Sequence, residues 1–146
     1  MNGELVSIII PAYNVDNYLE ECVNSLLCQT YTNYEIVIID DGSTDNTYNI
    51  GKQLTVESVK VKLFHQENQG VSIARNIGMQ KANGEFFIFV DADDIAAPQY
   101  IETLVACARK SDMGMAGFTS ERGEIATKVS MNTVDIRASD MMESIL

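Results

Sequence analysis

Three carboxylates within four residues, Asp91-Ala92-Asp93-Asp94, follow the apolar run Phe86-Phe87-Ile88-Phe89-Val90. Carboxylates packed this closely repel one another unless a cation lies between them. Hard oxygen ligands of this kind suit Mg²⁺ or Mn²⁺ held jointly with a phosphate group. The D-x-D pattern is short and common, and a solvated acidic turn would read the same way. Two further polar clusters, Pro11-Ala12-Tyr13-Asn14 and Asp40-Asp41-Gly42-Ser43, also close runs of β-branched residues.

The elements that must carry these clusters are legible from hydrophobic periodicity. Short apolar runs predict strands over residues 5–10, 36–39, 59–64, 86–90 and 113–118. Between them lie helical patterns. Tyr18, Leu19, Cys22, Val23, Leu26 and Leu27 form a stripe near 3.6 spacing, with Asp16 or Asn17 as its cap. Residues 46–54 predict a weaker helix, and residues 70–82 another with Val71, Ala74, Ile77 and Gly78 on one side. Gly84 fits a helix stop, and Pro98 the first turn of a helix facing inward with Ile101, Leu104, Val105 and Ala108. Ser139 caps a last helix beginning at Met141. Five alternations of strand and helix imply right-handed crossovers and a mostly parallel α/β sheet. Ligands bind such sheets outside the carboxyl ends of the strands, where all three polar clusters fall.

The chain has 146 residues, 46% hydrophobic and 21% charged, which fits one globular domain, 1–146, with its motif-bearing core at 5–118. A formal net charge of -11 argues against nucleic acid or an anionic membrane as partner. No apolar stretch reaches the roughly 18 residues of a transmembrane helix. Cys22, Cys28 and Cys107 read as reduced packing residues of a cytoplasmic protein, and one histidine, His65, offers no zinc cluster. Met113, Met115, Met131, Met141 and Met142 read as packing residues.

Five motifs in order carry a family resemblance. They are Ser7-Ile8-Ile9-Ile10-Pro11-Ala12-Tyr13-Asn14, Ser25-Leu26-Leu27-Cys28-Gln29-Thr30-Tyr31, Ile39-Asp40-Asp41-Gly42-Ser43-Thr44-Asp45, Asn68-Gln69-Gly70-Val71-Ser72-Ile73-Ala74-Arg75-Asn76-Ile77-Gly78, and Asp91-Ala92-Asp93-Asp94. Over about residues 6–100 the chain resembles the family 2 glycosyltransferases of GT-A fold, a Rossmann-like three-layer α/β/α sandwich that binds nucleotide-diphosphate sugars. The resemblance implies a nucleotide-sugar pocket of Pro11, Ala12, Tyr13, Asn14, Asp41, Arg75, Asp91, Ala92 and Asp93. In it, Tyr13 lies against the base, Asp41 accepts from uracil N3–H, and Arg75 sits near base and diphosphate. Asp91 falls near the ribose and Asp93 reaches a Mn²⁺ or Mg²⁺, with Asp91 or Asp94 as further ligands. Asp40 reads as structural.

The same resemblance implies inverting transfer of a sugar, with UDP as the family's commonest carrier, to a carbohydrate or lipid-linked hydroxyl in bacterial polysaccharide or glycoconjugate synthesis. No residue matches the general base, which is expected downstream of Leu146, so no catalytic residue is assigned in this chain. The expectation is therefore a nucleotide-binding portion lacking its acceptor half, weakly active alone. An uncovered core face would favour self-association, and any attachment to the inner face of a membrane would be made by parts outside the sequence. The alternative is a non-catalytic nucleotide-binding or interaction module on the same fold. A phosphoacceptor domain would need a lysine where Thr119-Ser120-Glu121 stands, and a D-x-D-x-T phosphatase a threonine at Ile95.

Overall fold

The computed structural model describes residues 3–110. Its elements run β1 (Val6–Ala12), α1 (Leu19–Leu27), β2 (Tyr34–Asp41), α2 (Thr47–Glu57), β3 (Val61–Gln66), α3 (Val71–Lys81), β4 (Phe86–Phe89) and α4 (Tyr100–Ala108). The strand expected over 113–118 and the helix from Met141 lie outside the described residues. No described helix is long and apolar enough to cross a membrane. The described residues fall into two compact units, 3–28 with 32–96, and 29–31 with 97–110.

The first unit is built on a parallel sheet of order β3-β2-β1-β4. The two central strands are β1 and β2, and Ile8, Ile9, Ile10, Ile36, Ile38 and Ile39 keep no exposed surface. Strands covered on both faces are apolar without alternation, as these are. Each such isoleucine contributes roughly 1.5–3 kcal/mol of burial. Register decides the faces: Ile9 lies beside Val37 and Phe89, and all three pack with Ala74, Met79 and Ile77 of α3. α3 approaches so closely at Gly78 that a Cβ there would stand 2.3 Å from Ile9 Cγ2. On the opposite face α2 packs on β3, where a Cβ at Gly51 would meet Leu63 Cδ1 at 2.9 Å. Helices therefore cover both faces of the sheet.

At the amino end of the sheet Glu35 ties several strands together. Its carboxylate accepts from Ser7 Oγ and Lys62 Nζ at 2.6 Å each, and from the Asn83 backbone N–H at 2.6 Å. Burial alone would raise the Glu35 carboxyl, but Lys62, Ser7 and Asn83 outweigh it and hold it at about 2.

Several expectations are corrected. Neither Asp16 nor Asn17 caps α1; Tyr18 stands at that position without a side-chain cap bond, because Asp16 instead accepts from the Asn46 N–H. Tyr18 is 53% exposed and leaves the α1 stripe, while Val59, 98% exposed, precedes β3 rather than starting it. Val71, at the first position of α3, is half-exposed rather than packed on the inward side. Gly84 ends no helix: α3 stops at Lys81 with Ala82 as its cap, and Gly84 is needed where the chain passes Ser7, whose Oγ would stand 2.5 Å from a Cβ. Of the four β4 residues only Ile88 is buried, because no strand borders β4 on its far side among the described residues. Of the cysteines only Cys22 is fully buried, and Cys28 is exposed.

In the second unit Gln29 serves as a cap for α4. Its Oε1 accepts the Ile101 N–H at 3.0 Å, and its Nε2 donates to the Ala97 carbonyl at 2.7 Å. Pro98 precedes the helix by two residues rather than lying in its first turn. α4 buries Ile101, Leu104 and Val105; Ala108 stays partly exposed.

Candidate functional site

Between β3 and β4 the chain returns across the sheet, so β1 is flanked by β2 and β4 and the topological switch lies at β1 and β4. A crevice opens outside the carboxyl ends of strands at such a point. β1 delivers Pro11, Ala12, Tyr13 and Asn14 to it, β2 delivers Asp40 and Asp41, and β4 delivers Asp91 to Asp94. The three clusters come together because parallel strands all end on one side.

Asp41 is 3% exposed. Its Oδ1 accepts from Gln66 Nε2 at 2.7 Å and the Gln69 N–H at 2.9 Å, and its Oδ2 accepts from the Gly70 N–H at 2.9 Å. The carboxylate thereby caps α3, whose N-cap residue, Gly70, has no side chain to do so. Gly42 makes this approach possible: with φ 73° it adopts a left-handed turn, and a Cβ would stand 2.7 Å from the Asn68 nitrogen. Asp40 points to the other face, wholly buried, with Oδ2 2.6 Å from His65 Nδ1 and Oδ1 unpartnered. The structural assignment of Asp40 fits this burial, and His65 is its cross-strand neighbour.

Tyr13 is 48% exposed, with its ring free to meet a ligand. Asn14 adopts φ 51°, which asparagine tolerates better than most residues. Its side chain turns to the β2–α2 loop: Oδ1 accepts the Thr44 N–H at 2.8 Å, while its own N–H donates to Ser43 Oγ at 3.1 Å. The Val15 N–H donates to Thr47 Oγ1 at 2.9 Å and the Asp16 N–H to Asp45 Oδ2 at 3.2 Å. Slight burial would raise the Asp45 carboxyl, but hydrogen bonds from Thr47 and Asp16 hold it below its ordinary value. These bonds fix the loop that presents Tyr13 to the loop that follows Asp41.

Arg75, from α3, reaches the acidic segment. Its Nη2 lies 2.8 Å from Asp91 Oδ1, its guanidinium carbon is 6.0 Å from the Phe89 ring, and its Nε is buried without a partner. The Asp91 carbonyl accepts from Cys22 Sγ at 3.6 Å and from the Asp94 N–H at 3.0 Å, which curls the segment into a turn. Ala92 is buried at 4% exposure, whereas the Asp93 side chain is exposed and, among the described residues, makes no hydrogen bond or ion pair. Burial, then the charges of Asp93 and Asp91, raise the Asp94 carboxyl. Burial and the three aspartates together push the Cys22 thiol up to about 12, so it is a neutral prop beneath the turn. Among the described residues negative charge is thus concentrated here, with Arg75 as its cationic partner.

Among the described residues no three carboxylate, thiol or imidazole groups converge as a ready-made metal site. Sequence reasoning did not name Gln66 or Thr47, and it gave Asp45 and Cys22 no place at the site, although each supports a residue it named. Strand register would have revealed Gln66, because Asp41 and Gln66 are side-by-side residues of β2 and β3.

The fold and the crevice define an open α/β domain of the class that takes ligands at strand carboxyl ends. The chain belongs to glycosyl transferase family 2, whose family model matches residues 7–134, and it has the GT-A fold. It is 44% identical over 111 residues to the glycosyltransferase GlyG of Streptococcus pneumoniae, covering 75% of this chain and 37% of that protein. A crystal structure of S. aureus TarS 1-349 in complex with UDP-GlcNAc matches with TM-score 0.69 and 29% identity, over 82% of this chain and 36% of that one. A mannosyltransferase from Pyrobaculum calidifontis, in complex with GDP-Man and Mn2+, matches with TM-score 0.56 and 28% identity, over 62% of this chain and 28% of that one. The chain thus spans 28–37% of the length of these three proteins.

Proposed function

We propose that this chain is the donor-binding part of an inverting glycosyltransferase that uses a UDP-sugar and a divalent cation. The observation that carries the reading is the grouping, at one switch point, of a half-exposed Tyr13 ring, the Asp41 carboxylate and the acidic turn 91–94. The UDP-GlcNAc complex of the related TarS supports a uridine donor. Tyr13 stacks on the base, since a flat ring covers a flat base while its hydroxyl stays wet. Pro11, Ala12 and Asn14 shape the wall beside it, with Asn14 acting through the 43–45 loop. Asp41 accepts the base imino N–H. Arg75 and Asp91 lie near the ribose and diphosphate.

Asp93 is the residue that would hold Mn²⁺ or Mg²⁺ against the donor's diphosphate, with Asp94 or Asp91 beside it. An exposed, unpaired carboxylate in a crowded acidic turn fits a hard cation shared with phosphate oxygens. Such a cation supplies neutralisation of the charge that builds on the departing diphosphate. In the transfer, the bond from the sugar's anomeric carbon to the diphosphate oxygen breaks as the acceptor oxygen bonds to the opposite face. The acceptor proton goes to a general base that we place outside this chain. The acceptor is a carbohydrate or lipid-linked hydroxyl, in polysaccharide or glycoconjugate synthesis.

Calorimetric titration of UDP with Mn²⁺, then with EDTA, tests the reading. Binding is expected to need the cation and to fall at least tenfold in Asp93→Ala, the loss of one charge-assisted ligand. Binding that is indifferent to both EDTA and the substitution would overturn the metal role. Absence of UDP binding would overturn the donor.

A further inference from the structure

The bonds to Asp41 leave it with a countable capacity. An ionised carboxylate offers about four lone-pair sites. Gln66 Nε2 and the Gln69 N–H occupy Oδ1, and the Gly70 N–H occupies one site on Oδ2. Oδ1 is full, and a single acceptor site remains, on Oδ2. Two of the three donors are backbone amides, so the third, from Gln66, is the one the side-chain sequence controls.

Gln66 is also a costly choice. Its Oε1 is buried and accepts no hydrogen bond, and an unsatisfied buried acceptor destabilises the fold. The amide cannot turn over to relieve this, because Oε1 would then face Asp41 Oδ1. An apolar side chain of similar length would fill the position without an orphaned atom. Stability therefore weighs both ways: Gln66 Nε2 satisfies a buried carboxylate, while its own Oε1 is left unpaired.

We propose that Gln66 is a specificity-determining residue for the nucleobase. By filling Oδ1 it leaves Asp41 able to read a base with one donor and closes it to a base with two. The inference rests on the donor reading above. Uracil presents one N3–H between two carbonyl oxygens, which suits a single free site. Guanine presents N1–H and N2–H side by side, a pair that a carboxylate accepts with one lone pair from each oxygen. With Oδ1 full, one guanine donor is left unpaired, and sites that leave a polar group unpaired reject a ligand strongly. Cytosine has an N4–H2 donor, but where uracil carries N3–H it sets an unprotonated N3, whose lone pair Asp41 repels whatever stands at position 66.

The test is calorimetric titration of UDP, GDP and CDP, with Mn²⁺, into the full 146-residue chain and its Gln66→Leu and Gln66→Met variants, with thermal melts alongside. The wild type is expected to prefer UDP over GDP. In both variants the UDP-to-GDP preference is expected to fall roughly five- to tenfold, about one hydrogen bond's worth, while CDP stays weak. A merely structural residue would lower all three affinities together, so an unchanged UDP-to-GDP ratio would overturn the proposal, as would a wild type that prefers GDP. The methionine variant carries the comparison should the leucine variant fail to fold. A wild type that binds no nucleoside diphosphate would instead sink the donor reading itself; UDP binding with an unaltered ratio sinks only this inference.

Discussion

At the scale of single residues, strength of engagement separates the parts of the site that can meet a ligand from those that hold it in shape. Asp41 and Asp40 are buried and bonded, whereas Tyr13, Asp91 and Asp93 are open. The Arg75–Asp91 pair joins side chains 37% and 57% exposed, and exposed ion pairs contribute about 1 kcal/mol or less. A ligand can therefore open it at little cost, and Asp91 remains available. Tyr13→Ala is expected to weaken UDP binding by about 1–3 kcal/mol, the value of one base stacked on an aromatic ring, with Tyr13→Phe close to wild type. Calorimetry checks this, and equal affinities for the alanine variant and the wild type would remove the ring from the base. The clusters at 11–14, 40–43 and 91–94 were legible as polar residues closing apolar runs, while Arg75 was drawn only from the family resemblance. Their supports, Gln66, Thr47 and Cys22, were not, because glutamine, threonine and cysteine are ordinary anywhere until a neighbour is known.

At the scale of elements, the sheet divides its labour between its two ends. The carboxyl end carries the site, and the amino end is closed by Glu35 with Ser7, Lys62 and Asn83. The Glu35 carboxyl is held at about 2, below its ordinary 4.5. The folded value is the depressed one, so its stabilisation is complete above about pH 4.5 and drains away as pH falls toward 2. Urea unfolding from pH 5 down to 2.5 is expected to show a loss on the order of 2–3 kcal/mol that Glu35→Gln lacks. Equal slopes in the two proteins would show that the knot is not the acid-labile point. Strands and helices were legible from periodicity, to within a few residues at their ends. Two of the errors share a cause: Asp16 was drawn to Asn46 and Gly84 answers to Ser7, both partners distant in sequence.

At the scale of the whole molecule, the formal net charge of -11 would set how the proposed anionic donor arrives. A protein and ligand of the same sign repel at long range, and salt screens that repulsion within about 10 Å at 0.1 M. The association rate of UDP, measured by stopped flow at fixed Mn²⁺, is expected to rise as ionic strength increases from 10 to 150 mM, by a factor of about two to five. A falling rate would mean that a local positive field, from Arg75 and the cation, governs capture instead.

The sequence by itself determined the alternation of strand and helix, the parallel sheet, the family, and the chemical types at the three strand ends. The alternation and the sheet follow from periodicity, the chemical types from the residues themselves, and the family from the resemblance that five motifs carry, all of them local properties of the chain. Only the tertiary structure decided that Asp41 caps α3 and shares its oxygen with Gln66, that Arg75 crosses to Asp91, and that Asn14 locks two loops. Each of these joins residues from 16 to 30 positions apart. A hydrogen bond forms wherever donor and acceptor meet within about 3 Å, and strand order, not local sequence, brings them there.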